Sequence, residues 1–191
     1  MTSKPTYPAH FVGIDPGHNA GAITVLTMTG ELHACAHWKR MKRKAGDVWR
    51  VELEHAYQKS IMSFHDNLYH ALDSIWGRIT LGNYLLTVEQ PFIPHRGLRG
   101  LVHLIESAGV CLGMWGPGAH SIHRVSANVW RRDVLNLPAR TKATDAEAKA
   151  IEHASACIAG STLQHVGHVA EATCMAQWLI LEQGHRALRP A

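Results

Sequence analysis

Phe11-Val12-Gly13-Ile14-Asp15-Pro16-Gly17 decides the fold. An apolar run ends on a carboxylate, a Pro-Gly turn follows, and a second apolar stretch runs from Ala20 to Leu26. This pattern reads as a β-hairpin with a buried first strand. A carboxylate closing an apolar strand is costly to bury alone, so Asp15 needs a cation or a donor, unless it caps the turn through its own backbone. Glu89 closes a second apolar strand, Leu85-Leu86-Thr87-Val88-Glu89, in the same way. Two carboxylates at two strand ends point to one metal-binding site.

Outward from the hairpin, the N-terminal third reads as a three-stranded meander of Phe11–Asp15, Ala20–Thr27 and Glu31–Trp38, with Thr29-Gly30 joining the last two. Tyr57, Ile61, Phe64, Leu68, Leu72 and Ile75 recur at helical spacing and predict a helix that stops before Gly82-Asn83. A second amphipathic helix carries Leu98, Leu101, Leu104, Ile105, Ala108, Cys111, Leu112 and Trp115, and Gly116-Pro117-Gly118 ends it. Ser121–Val125 is a fifth strand, and Ser126 is placed to cap a short helix through Leu135. Thr144-Asp145-Ala146-Glu147 has the form of a capping box opening a helix closed by Gly160; a last helix is expected over His168–Gln183, with Gly184 as its stop. Early strands, then strand–helix alternation, then helices predict one α/β domain over residues 1–191, with a mixed five-stranded sheet flanked by helices.

Composition excludes several classes. With 191 residues, 46% hydrophobic and 18% charged, the chain is globular in character and suited to one sizeable core. No apolar run is long enough for a bilayer, and Met1 to His10 lacks an apolar signal core, so the expected location is the cytoplasm. Cys35, Cys111, Cys157 and Cys174 form no CxxC pair, which predicts free thiols. The 15 histidines include no HExxH zinc motif.

Net charge is only +4, but it is unevenly placed. Lys39, Arg40, Lys42, Arg43, Lys44 and Arg50 crowd one segment edged by Trp38 and Trp49, which reads as a basic loop over about 39–50. Such density suits phosphate contacts, and nucleic acid is the anionic partner it fits best; a solvated loop without a partner is the plain alternative.

His168-Val169-Ala170-Glu171-Ala172 opens the final helix, and residues three apart share a helix face. His168 and Glu171 can therefore point at one spot in the first turn, where the helix dipole favours an anion. Capping plus a surface histidine is the simpler reading of that pair alone. Taken together, Phe-Val-Gly-Ile-Asp15-Pro-Gly, Glu89-Gln90-Pro91-Phe92 and His168-Val-Ala-Glu171-Ala resemble the RuvC-type Holliday junction resolvases of the RNase H-like superfamily, in order and spacing, from about residue 10 to 183.

The resemblance implies an RNase H-like fold and a four-ligand site of Asp15, Glu89, His168 and Glu171 holding two Mg²⁺ or Mn²⁺ ions. The family commonly has Asp where this chain has His168, although some members use His; Glu171 also replaces a usual Asp. Hydrolysis of a phosphodiester needs an activated water and a stabilised leaving oxygen, which paired divalent ions on oxygen ligands supply. The resemblance further implies a two-fold dimer making paired nicks in four-way DNA junctions, and a Phe92 that stacks on opened bases. His95, Arg96 and Arg99 follow Phe92 as phosphate-contact candidates; Arg131, Arg132, Arg140 and Lys142 form another basic group, in which Arg131 and Lys142 approximate family positions. The helix Leu98–Trp115 is the expected contributor of part of the dimer interface, with core packing inside one copy as the plain alternative. The basic segment after Trp38 is consistent with phage or prophage origin. A catalytically silent junction-binding protein of the same fold is the main alternative; an actin-like ATPase would need a second phosphate-binding hairpin, which this chain lacks.

Overall fold

The computed structural model describes residues 8–17, 19–41, 48–53, 56–60, 83–90 and 98–187. Among them are seven strands: β1 (His10–Asp15), β2 (Ala20–Thr27), β3 (Leu32–Met41), β4 (Val48–Leu53), β5 (Ala56–Ser60), β6 (Tyr84–Glu89) and β7 (Ser121–Val125). The described helices are α1 (Leu98–Trp115), α2 (Ala127–Leu135), α3 (Ala143–Ala154) and α4 (Gly167–Ala187), with a 3-10 turn at Gly116–Gly118. All strands join one sheet in the order β5-β4-β3-β2-β1-β6-β7. The meander β1 to β5 is antiparallel, whereas β6 lies parallel to β1 and β7 parallel to β6.

The expected mixed five-stranded sheet is present as β3-β2-β1-β6-β7. Two more strands extend it, in part where the sequence read as a basic loop. Lys39, Arg40 and Met41 continue β3, and Arg50 lies in β4; Lys42, Arg43 and Lys44 fall outside the described residues. The high charge of this segment masks a Val-Trp-Arg-Val alternation that suits a strand. Tyr57 belongs to β5, where pairing with Glu52 of β4 overrides its helical spacing; the rest of that predicted helix lies outside the described residues.

Chain spacing explains how α4 packs along β1. Val12 and Ile14 are fully buried on the α1 side, in a cluster with Trp38, Tyr84, Leu86, Cys111 and Trp115. Phe11, Gly13 and Asp15 face α4. Phe11 shares a cluster with Ala176 and Leu179, and Gly13 lies beneath Ala172 and Ala176. Asp15 meets His168. Two strand residues advance about 6.6 Å and four helix residues about 6 Å. Alternate β1 residues therefore track successive turns of α4, which brings the first turn of α4 over the carboxylate end of β1.

Gly13 is required for this approach. A Cβ there would lie 2.0 Å from the Ala172 carbonyl oxygen and 2.8 Å from the Ala176 nitrogen, both backbone atoms. Beside it, the buried Thr173 hydroxyl bonds the Val169 carbonyl at 2.7 Å, and the Thr24 hydroxyl of β2 reaches the same carbonyl at 3.3 Å. Gly13→Ala should therefore push α4 off the sheet and destabilise the fold by about 3 kcal/mol, at the upper end of overpacking costs. Urea denaturation checks this; an unchanged midpoint would mean that α4 does not rest on β1 in this way.

Helix starts and stops differ from the expectations in places. Ser126 is the N-cap of α2 but makes no side-chain cap bond. The capping box is not formed: Lys142 is the N-cap of α3, and the Thr144 hydroxyl bonds Asp145 inside the helix. The Glu147 side chain instead lies against Gly167, where a Cβ would sit 2.0 Å from its Oε1, at the favourable positive end of α4. α3 ends at Ala154, well before Gly160, and α4 continues through Gly184 to Ala187. All four cysteines are free, as expected. No helix among the described residues is long and apolar enough to cross a membrane.

Candidate metal centre

Asp15 and Glu89 end neighbouring parallel strands. The last β1–β6 register pair is Ile14 with Val88, so the two carboxylates follow side by side. Asp15 is held in place by its hairpin. The fully buried Trp38 donates from Nε1 to the Gly17 carbonyl at 3.0 Å, fixing the turn that follows Asp15. On α4, His168 and Glu171 share the face over this edge. His168 Nδ1 lies 2.5 Å from Asp15 Oδ2. One ligand atom each from Asp15, His168 and Glu171 falls within 4.8 Å of the others, a grouping able to hold a metal ion. Two carboxylates and an imidazole form a donor set that suits Mg²⁺ or, with nitrogen included, Mn²⁺.

The charge balance fits such an ion. Glu89 is pushed up from 4.5 to about 8, first by burial and then by the charges of Asp15 and Glu171. Glu171 is likewise raised by burial and by Asp15, against the opposing pull of Arg131. The His168 imidazolium is favoured chiefly by its hydrogen bond to Asp15, against burial, with further help from Asp15, Glu171 and Glu147. These carboxylates crowd together with too little positive charge, a shortfall that a divalent cation would relieve.

Glu89 is close enough to feel both other carboxylates but lies outside the three-residue group; its Oε2 accepts from Trp130 Nε1 at 3.3 Å. Arg131 donates to Glu171 Oε1 at 2.8 Å, so this expected DNA contact sits within the acidic cluster. Lys142 is exposed at the start of α3. Lys39 is exposed on β3, its register partner on β4 being Arg50. Arg99 occupies the second position of α1, while Phe92 and Arg96 lie outside the described residues. Sequence reasoning missed Trp130, which nothing distinguishes from a core aromatic, and Glu147, which its spacing assigned to a cap. It also missed His37, buried on β3 with its ring stacked 6.1 Å from His168. The register Asp15–Ala22–His37 across three strands explains that last placement.

No family model matches the chain, and no curated protein does. Among solved structures, it resembles Thermus thermophilus RuvC in complex with a Holliday junction substrate, with 93% of this chain and 95% of that one covered, 11% identity and a TM-score of 0.51. The fold is RuvC-like. A second Thermus thermophilus RuvC structure aligns over 91% of this chain and 95% of its own, at 11% identity and a TM-score of 0.43. The sheet is mixed and the architecture α/β, as the strand–helix order predicts, and the RuvC-like fold agrees with the RNase H-like fold that the resemblance implies.

Proposed function

We propose that this protein is a divalent-metal-dependent DNA endonuclease that resolves four-way junctions as a two-fold dimer. The observation that carries this reading is the meeting of Asp15 and Glu89 from adjacent strand ends with His168 and Glu171 from one face at the start of α4. That this occurs on the fold of a protein seen with a Holliday junction substrate supports DNA junctions as the substrate class. Asp15, His168 and Glu171 would hold the metal, and Glu89 beside them would serve as a fourth ligand. Bound Mg²⁺ or Mn²⁺ would supply charge stabilisation at the phosphate and activation of water. Asp15 orients His168 through Nδ1, which leaves Nε2 as the ring nitrogen not committed to Asp15.

Lys39 and Arg50 occupy directly opposed positions on neighbouring strands. Two basic residues at one register position make this part of the sheet suited to a phosphate backbone. Val102 and Ile105 on α1 and Ile122 on β7 are large apolar side chains about half exposed, at 50%, 53% and 46%. They support α1 as a contact between two copies, which would set two equivalent sites on opposing strands. The test is one gel: a synthetic four-way junction and a linear duplex, each with Mg²⁺, Mn²⁺ or EDTA. Paired nicks in the junction alone, abolished by EDTA, are expected; absence of metal-dependent cleavage overturns the reading.

One observation favours the rival of a silent junction-binding protein: Arg131 already places a cation on Glu171. Junction binding without nicking in the same assay would establish it.

His168 provides a separate check. Its neutral ring is the form that binds metal or takes a proton, and Asp15 favours the charged form. Cleavage should therefore rise with pH through the histidine range, with its limb above the ordinary value of about 6.5. His168→Asp should stay active with a flattened or displaced acid limb. His168→Ala should lose about 100-fold in Mg²⁺ with junction binding retained. An alanine variant that cuts like the parent across the pH range would reduce the site to carboxylates.

A further inference from the structure

Two neighbouring residues of α2 reach two different carboxylates of the site. Trp130 is fully buried and donates to Glu89 from Nε1 at 3.3 Å. Arg131 donates from Nη2 to Glu171 Oε1 at 2.8 Å, and its guanidinium carbon lies 5.1 Å from the centre of the Trp130 ring. Arginine binds a carboxylate best through two parallel bonds. Among the described residues the buried Arg131 Nε finds no hydrogen-bond acceptor, so this pose leaves a donor unmet. The guanidinium therefore rests on Glu171 with one donor unmet, a pose held less firmly than a two-bond pair. The indole carries no charge, and its bond can only orient Glu89.

We infer that Arg131 is an exchangeable counter-cation of the acidic site, competing with a divalent metal ion for Glu171, whereas Trp130 is a positioning residue that holds Glu89 for that ion. The inference rests on the metal-site reading above and adds to it that two adjacent residues act on metal affinity in opposite directions. Arg131 opposes binding because a fixed positive charge next to a ligand repels a dication and occupies its oxygen. Trp130 favours binding because a loosened ligand must be ordered again when the ion enters.

The experiment is calorimetric titration of the DNA-free protein with Mn²⁺ at fixed pH and salt. Arg131→Gln should bind Mn²⁺ about tenfold more tightly, the equivalent of one charge-assisted hydrogen bond. Arg131→Lys keeps the charge and should stay close to the parent. Trp130→Phe keeps the ring but loses the donor, and should bind about tenfold more weakly. Arg131→Ala replaces the Gln variant if far-UV circular dichroism shows that the latter is misfolded. Unchanged or weaker binding in the charge-removing variants would overturn the competition and make Arg131 an orienting group. A parent that binds no Mn²⁺ would overturn the metal-site reading and this inference with it, an outcome distinct from a binding parent with indifferent variants.

Discussion

Asp15→Asn is expected to reduce junction cleavage by at least about a thousandfold, the scale seen when one member of an interdependent catalytic group is removed. Asp15 acts on all three other members of the site: it bonds His168, and its charge raises both Glu89 and Glu171. The substitution keeps the shape of the side chain but removes a metal oxygen ligand. It also removes the charge that favours imidazolium at His168. The folded state should not suffer, because the remaining carboxylates repel one another less. Junction affinity should hold or increase, since a negative charge facing the DNA backbone has been deleted. Nicking and gel-shift assays on the same junction separate these effects. Nicking at the parental rate would remove Asp15 from the centre of the site, and loss of junction binding together with cleavage would point to a folding defect.

Much of this was legible because β1, β6 and α4 carry local signals. An apolar run ending in a carboxylate marks a strand end, and a His-x-x-Glu pair marks one helix face, so the strand ends and the first turn of α4 could be read before any contact was known. What joins them is tertiary. The bond of His168 to Asp15 depends on Gly13 admitting the α4 backbone and on Thr24 and Thr173 fixing its height over the sheet. The extra strands were hidden because Lys39, Arg40 and Arg50 read as solvated charge, whereas ladder pairing between β3 and β4 decides their state. Trp130 and Arg131 were opaque for another reason. A helix of average polarity gives no sign of which carboxylate each side chain will reach, since α2 finds Glu89 and Glu171 only after the chain has folded over β6 and α4.

Glu89→Gln should stabilise the metal-free protein while abolishing cleavage. The Glu89 carboxyl is raised from 4.5 to about 8 by burial, Asp15 and Glu171. A group that binds its proton more tightly when folded contributes stability that is complete below the unfolded value and is lost as pH rises through the folded one. For Glu89 that loss runs from about 4.5 to about 8. His168, also raised, adds a loss in the same direction above the ordinary histidine value of about 6.5. A tenfold change in proton affinity is worth about 1.4 kcal/mol, so ionising Glu89 in the fold costs on the order of 3–5 kcal/mol before neighbouring groups readjust. Glutamine has no charge to bury and keeps an oxygen for the Trp130 indole, so at about pH 8 the variant should gain about 1–3 kcal/mol over the metal-free parent. Metal should reverse the order. It binds only deprotonated ligands, so its effect grows with pH, and an excess of about 100-fold over its dissociation constant stabilises the parent by about 2.7 kcal/mol. Thermal melts of both proteins from about pH 5 to pH 8.5, with and without Mn²⁺, measure all of this. The parent's metal-free melting temperature should fall across that range and recover with Mn²⁺, while the glutamine variant stays flatter and recovers less. A parent that grows steadily more stable with rising pH without metal, or a variant that Mn²⁺ stabilises as much as the parent, would mean that Glu89 neither carries this strain nor serves the ion.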